Sequence, residues 1–304
     1  MTNRPRRLVP AAAAAFAVAA TLAIAALLAA VPAHAAVTKN RLATNRLATN
    51  RLATNRLATN RLAAFALSDS SLEASAAAAD LLATADGRDV YSYIVGCALP
   101  DGVTIAATVP GAPDTAPPDT NYTCVAERCV FQGSLGLAAD WIDHKLASKD
   151  ERWISACLFA RVNLYDTAEA ISLRGPHPNL TVTPDEASLF TVVEGAFYGN
   201  LFTHEDDPID WNACRGEGQA SGEFGGLVLR DCTEEDPAHP GTTLCGFNDA
   251  GDCRDYSADF SGLYACKGFD ATQGLYLDCH TTSGDGRWPS SKTHREVITV
   301  YVSP

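Results

Sequence analysis

Apolar positions along this 304-residue chain change spacing several times, and each change marks a boundary. Leu8 to Val31 is almost unbroken apolar sequence, mostly alanine, behind the basic residues Arg4, Arg6 and Arg7. Pro32 interrupts it, and Ala33-His34-Ala35 puts small residues at the two positions a signal peptidase reads. The stretch is long enough to cross a bilayer, but alanine gains little on entering lipid and a cleavage site follows. Residues 1–36 are therefore expected to be a cleaved export signal, with no membrane span left afterwards. Arg6-Arg7 alone does not make a twin-arginine signal, and no cysteine at the cleavage site offers a lipid anchor.

From Asn40 the unit NRLAT recurs, with Asn45, Asn50, Asn55 and Asn60 opening the later copies. A period of five matches neither regular element. Leu42, Leu47, Leu52, Leu57 and Leu62 would advance by about 140° per step on a helix and alternate faces on a strand. Five residues do suit the coil of a pentapeptide-repeat solenoid, yet five copies make little more than one coil and a solenoid needs stacked neighbours. Residues 37–64 are thus expected to be a flexible, low-complexity basic linker, with an arginine every ~17 Å when extended.

Beyond the repeat the pattern becomes ordinary. Ser70-Ser71-Leu72-Glu73 forms a capping box for an alanine-rich helix that Gly87 would end. Val90, Tyr93, Ile94 and Cys97 share a helical face, Pro100-Asp101-Gly102 predicts a turn, and Val103–Val109 a strand. Residues 110–119 are a proline-rich loop, and Tyr122–Phe131 predicts a tight hairpin. A second box, Ser148-Lys149-Asp150-Glu151, opens a helix whose Trp153, Ile154, Cys157, Leu158, Arg161 and Val162 form one broad apolar side. A third box, Thr183-Pro184-Asp185-Glu186, has proline at the first helical position. Short strands are expected at Ala170–Leu173, Leu180–Thr183 and Phe190–Val193. Residues 203–282 are rich in Gly, Asp and Cys with little periodicity, and Val297–Val302 is a strand returning to the earlier sheet. The fold class expected is α+β: mixed helices and short strands over 65–203, then a disulfide-rich, loop-rich C-terminal region over 204–304.

The ten cysteines all follow residue 96 and contain no CxxC pair. Behind an export signal, an even set at wide spacings is a disulfide framework rather than a metal cluster. Only Cys279-His280 sets the two ligand types side by side. Matching helical contexts pair Cys97 with Cys157, and the hairpin pairs Cys124 with Cys129. Cys214, Cys232, Cys245, Cys253, Cys266 and Cys279 are then left to pair within the tail.

Charge divides the chain in two. Residues 37–64 hold Lys39, Arg41, Arg46, Arg51, Arg56 and Arg61 and no acid. The residues after Ala64 carry 14 basic and 36 acidic side chains, a net charge of −22. Such a body repels nucleic acid and anionic lipid, whereas the basic arm suits an anionic surface polymer.

Catalytic motifs are mostly missing. Gly218-Gln219-Ala220-Ser221-Gly222 has the wrong spacing for a nucleophile elbow, and His204-Glu205 has no second histidine four residues on. Cys157 with His177 would make a thiol–histidine pair, but the even cysteine count favours a half-cystine. Glu194, followed by Gly195-Ala196-Phe197-Tyr198, is the leading candidate acid; without a second carboxylate at glycosidase distance it is expected in a turn or at the surface. Acidic clusters occur at Glu205-Asp206-Asp207 with Asp210, at Glu234-Glu235-Asp236, and at Asp249, Asp252, Asp255 and Asp259. In the last of these, Asn248, Asp249, Asp252 and Asp255, eased by Gly251, form a candidate site for Ca²⁺, although the spacing is not that of an EF-hand. No cofactor is required by anything in the sequence.

The blocks Tyr91–Leu99 (YSYIVGCAL), Arg152–Asn163 (RWISACLFARVN), Ile171–Gly175 (ISLRG) and Glu194–Phe202 (EGAFYGNLF) resemble a family of uncharacterised secreted bacterial proteins. Some of these carry short Asn- and Leu-bearing repeats after the signal peptide. The resemblance spans about residues 88–203 and implies export and domain extent, with no activity attached. The expected function is a secreted or periplasmic, disulfide-stabilised, non-enzymatic binding or surface protein. The competing reading is a secreted carbohydrate-active hydrolase using carboxylates such as Glu194.

Overall fold

The computed structural model describes residues 37–40, 42–43, 62–118, 120–164, 168–202, 210–216, 232, 235–254, 264–280 and 292–304, all within the unit His34–Pro304. After the repeat, hydroxyl side chains cut the alanine-rich sequence into short helices. Asp69–Ala74 (α1) is followed by Ala76–Leu82 (α2), where Ser75 caps the end by accepting from the Ala78 amide, and by Ala85–Ala98 (α3), where Thr84 accepts from Gly87. The single helix ending at Gly87 is therefore not formed. Gly87 lies in the first turn of α3, where a Cβ would overlap the Leu81 carbonyl.

Gly87–Ala98 of α3 is buried on every side, so this is a core helix rather than an amphipathic one. It packs against the small sheet of Thr104–Thr108 (β3), Tyr122–Val125 (β4) and Arg128–Gln132 (β5), in the order β3-β5-β4. The expected turn links them: Val103 N donates to Pro100 O at 3.2 Å and Gly102 takes φ 80°. The next long helix, Ser148–Ala160 (α4), begins one residue earlier than the capping box implied, with Ala147 rather than Ser148 as its cap and no side-chain cap hydrogen bond.

The remaining strands form the main sheet. Val37–Asn40 (β1), Glu169–Arg174 (β7), Ile298–Val302 (β14), Val192–Asn200 (β8), Asp210–Arg215 (β9) and Asn248–Asp252 (β10) lie in the order β1-β7-β14-β8-β9-β10. All neighbours are antiparallel except β9 and β10. The C-terminal strand thus returns to the sheet centre, as its apolar alternation predicts. Before β8, no strand forms at Leu180–Thr183: Pro178–Leu180 is a 3₁₀ turn, and the Thr183 capping box forms in full at the start of Pro184–Leu189 (α5). A second small sheet comprises Cys266–Asp270 (β11), Leu275–His280 (β12) and Thr293–His294 (β13). Helices and sheets together make an α+β architecture, and the described part of the tail is more stranded than its composition suggested. Among the described residues, no helix is long and apolar enough to cross a membrane.

The main sheet separates two cores. On one face Ile171, Leu173, Phe197, Trp211, Ile298 and Val300 join the large cluster containing α3 and α4. Phe159 of α4 meets Trp211 and Phe247 there, at ring separations of 5.9 and 5.4 Å. On the other face Ala196, Tyr198, Cys214 and Val297 meet Ala250, Cys253, Ala265, Cys266, Tyr276 and Cys279 in a smaller cluster. Polar ties hold the small sheet to the large one. Tyr276 N donates to Thr299 Oγ1 at 2.8 Å, and Tyr198 Oη donates to His280 O at 2.7 Å.

All ten cysteines are bridged. Cys97–Cys157 joins α3 to α4 with Cα atoms 6.1 Å apart, and Cys124–Cys129 crosses the hairpin. The tail pairs locally as Cys214–Cys253, Cys232–Cys245 and Cys266–Cys279.

The boundary drawn at residues 37–64 needs correction at both ends. Val37 pairs with Ser172 and Asn40 with Glu169, so β1 is an edge strand of the main sheet. Leu42–Ala43 (β2) pairs in parallel with Val162–Asn163 (β6). On the far side Leu62 and Ala63 are buried in the large core, and Leu146 N donates to Ala63 O at 3.0 Å. Of the repeat, residue 41 and residues 44–61 lie outside the described residues.

Candidate functional site

The exit of the repeat is held by a tryptophan. Trp141 sits in a short 3₁₀ turn, buried, and its Nε1 donates to Phe65 O at 2.9 Å while its own carbonyl accepts from Leu67 N at 2.7 Å. With β1 and β2 at the entrance, both flanks of the repeat are built into the body. Arg46, Arg51, Arg56 and Arg61 fall between those flanks, and Arg41 at the entrance; all five lie outside the described residues.

The hairpin is the most constrained exposed feature. Its turn places two non-glycine residues, Ala126 and Glu127, in the left-handed region at φ 49° and 63°. Such a turn persists because its surroundings over-determine it. The Cys124–Cys129 bridge closes it from behind, and the proline-rich loop clamps it in front. Glu127 O accepts from Val109 N at 2.7 Å, the Glu127 carboxylate accepts from Gly111 N at 2.8 Å, and the Asp114 carboxylate accepts from Ala126 N at 2.7 Å.

Between that loop and the N-terminus of α3 lies a recess of about 250 Å³, with Asp86, Arg88, Asp89, Thr115, Thr120 and Tyr122 among its lining residues. Its floor is a buried polar network. Arg88 is 3% exposed and donates to Leu82 O at 2.8 Å and Ala83 O at 3.3 Å. Burial first, then the neighbouring Asp89 carboxylate, push the Tyr122 phenol up to about 12, so it stays a neutral donor. Fixed charges beneath a rim of threonines and prolines suit hydrogen bonding to a polar group. Arg88, Asp89 and Tyr122 were not singled out in the sequence. The only hint was the proline-rich loop beside the hairpin.

The residues that the sequence did single out are placed elsewhere. Glu194 is neither at the surface nor in a turn: it is fully buried in β8. Pairing with β14 shifts register there, Val300 opposing Gly195 and Tyr301 opposing Val193, so Glu194 is the extra residue of a β-bulge. Cys157 is bridged to Cys97, while His177 packs edge-on against Trp153 at 5.2 Å, so the two do not form a thiol–histidine pair.

The candidate calcium loop is a strand. Asn248, Asp249 and Asp252 belong to β10, and Asp255 lies outside the described residues. Arg215 of β9 takes both carboxylates, with Nη1 3.0 Å from Asp249 and Nε 3.2 Å from Asp252. Asn248 Nδ2 donates to Asn212 Oδ1 at 3.3 Å. The mutual repulsion that a calcium ion would have relieved is already offset by a guanidinium.

Asp210, named in the sequence only as part of an acidic cluster, sits in a buried ion cluster with partners from far along the chain. Asp210, 5% exposed, is 2.7 Å from Lys292 Nζ and 3.4 Å from His294 Nε2, and accepts from Asn212 Nδ2 at 3.0 Å. Burial alone would raise its carboxyl, but His294 and Lys292 outweigh burial and hold it at about 2. It fastens β13 to β9 of the main sheet.

Comparison with protein-family models, with curated proteins and with solved structures returned no match. The five bridges themselves indicate an oxidising environment.

Proposed function

We propose that this is an exported, secreted or periplasmic, non-enzymatic binding protein that holds an anionic surface polymer through its arginine-bearing repeat. The observation that carries the reading is the anchoring of both flanks, β1 and β2 before the repeat and Leu62–Leu67 after it. A free basic tail would fold back loosely on an acidic body. Flanks fixed on a folded base instead present four arginines from one place, with no acid among them. The body, at −22, repels a polyanion and confines the contact to the repeat. The likeness to secreted repeat-bearing bacterial proteins and the export signal at residues 1–36 support the same compartment.

The competing hydrolase reading rests on Glu194, whose burial inside the sheet weighs against its meeting a polysaccharide. The test is retention of the folded chain on a dextran sulfate column, with reducing-end release from carbohydrate polymers assayed in parallel. Retention that falls when Arg46, Arg51, Arg56 and Arg61 are changed to serine supports the reading. Flow-through of the unaltered chain at low salt, or reducing-end release abolished by Glu194→Gln, overturns it.

A further inference from the structure

Cys214–Cys253 and Cys266–Cys279 are stacked rather than scattered. Cys253 follows β10 directly and Cys266 opens β11, and the two are tied by Cys266 N donating to Cys253 O at 3.0 Å. As a result Cys214 Sγ and Cys266 Sγ, from different bridges, are 3.8 Å apart. The sulfurs of Cys214, Cys253 and Cys266 all lie within 4.8 Å of one another, and all three residues are buried. Zinc–thiolate bonds of about 2.3 Å in a tetrahedron put neighbouring sulfurs about 3.8 Å apart, so the closest inter-bridge distance is already that of a tetrahedral edge.

We propose that these two bridges are the oxidised form of a thiolate site for a soft divalent cation such as Zn²⁺. Cys214, Cys253 and Cys266 supply three ligands, and Cys279, which pairs opposite Cys266, is the fourth sulfur freed by the same reduction. The conversion balances simply. Two dithiol reductants give four electrons and four protons, both S–S bonds break, and four thiols form. Zn²⁺ then displaces four protons as four Zn–S bonds form; oxidation runs the other way, releasing the metal with loss of four electrons. The small core around the sulfurs, with Ala196, Tyr198, Ala250, Ala265 and Tyr276, keeps water from competing. The same four residues thus cross-link the tail in an oxidising compartment and hold it through a metal when reducing equivalents are present.

Cobalt is the probe. The full chain is reduced with a phosphine under argon, its near-UV circular dichroism recorded, and Co²⁺ added. One equivalent should produce thiolate-to-cobalt charge-transfer bands and tetrahedral d–d bands, both erased by Zn²⁺. Cys214→Ser/Cys266→Ser should abolish them, and Cys232→Ser/Cys245→Ser should leave them. Independently of any variant, Zn²⁺ should slow alkylation of Cys214, Cys253, Cys266 and Cys279 about tenfold relative to the other six cysteines. Absent bands, in a reduced chain that is folded or unfolded, overturn the proposal. So does Zn²⁺ protection spread evenly over all ten cysteines, or survival of the bands in Cys214→Ser/Cys266→Ser.

Discussion

The two faces of the main sheet are stabilised by different means. The face toward α4 is covered by a large cluster of aliphatic and aromatic side chains that also takes in three bridges, of which Cys97–Cys157 spans two helices. The face toward β11–β13 has fewer apolar residues and, among the described residues, no helix; two bridges, two tyrosines and the Asp210 ion cluster hold it. The first face is a large hydrophobic core that disulfides reinforce. The second is a covalent and polar assembly that a thin apolar layer seals. Where chain length does not supply a core, cross-links substitute for it.

Neighbouring residues on β8 test this contrast most sharply, because Phe197 points into the large core and Tyr198 into the small one. Phe197→Ala should lower stability by about 4 kcal/mol, as for a large aromatic removed from a packed site. Tyr198→Phe should cost only about 1 kcal/mol, the net worth of its hydrogen bond to His280 O. Urea unfolding of both variants checks it; equal losses would erase the distinction between the faces.

The repeat offers the next test. Removing residues 37–64 deletes the edge strand β1 and the buried Leu62 and Ala63, and should cost about 2–3 kcal/mol. Removing only residues 45–54, two repeat units, should change stability by less than about 0.5 kcal/mol. Thermal unfolding of the two deletions separates anchored flanks from spacer.

Asp210 gives a smaller, pH-dependent effect. Its carboxyl is lowered from 3.8 to about 2 in the folded chain. A lowered carboxylate contributes stability fully above its ordinary value and loses it as pH falls through the folded value. Asp210→Asn should therefore cost about 2 kcal/mol at neutral pH, and the gap should close between pH ~4 and ~2. Unfolding measured across that range reads it directly; a gap that persists at pH 2 would place the stabilisation elsewhere.

Much of the large core was legible because its elements are local. The Pro100-Asp101-Gly102 turn, the cysteine hairpin and the returning strand at Val297–Val302 are signalled within a few residues. Helix starts were less exact, since Ser75 and Thr84 compete as caps with Ser70 in a sequence that is alanine almost throughout. The small core was hidden for a different reason. Glycines and aspartates mask the period-two pattern of β9 to β12, and these strands are fixed by partners far away in the chain. Asp249 and Asp252 resembled a cation loop because nothing local announces Arg215, more than thirty residues earlier. Glu194 resembled a surface acid because a β-bulge leaves no mark in composition. The recess beneath the proline loop was invisible too, since Arg88, Asp89 and Tyr122 meet only after α3 packs on the hairpin.

The central claim is that the anchored repeat grips a polyanion, and a salt-resolved titration tests it most directly. Fluorescently labelled dextran sulfate is titrated with the folded chain at several NaCl concentrations and followed by anisotropy. With four or five arginine contacts, affinity should fall on the order of a hundredfold between about 50 and about 200 mM NaCl, by counterion release. The chain with Arg46, Arg51, Arg56 and Arg61 changed to serine should bind at least about tenfold more weakly at the lower salt and lose most of the salt dependence. Equal affinity for the two chains, or binding indifferent to salt, would contradict the account.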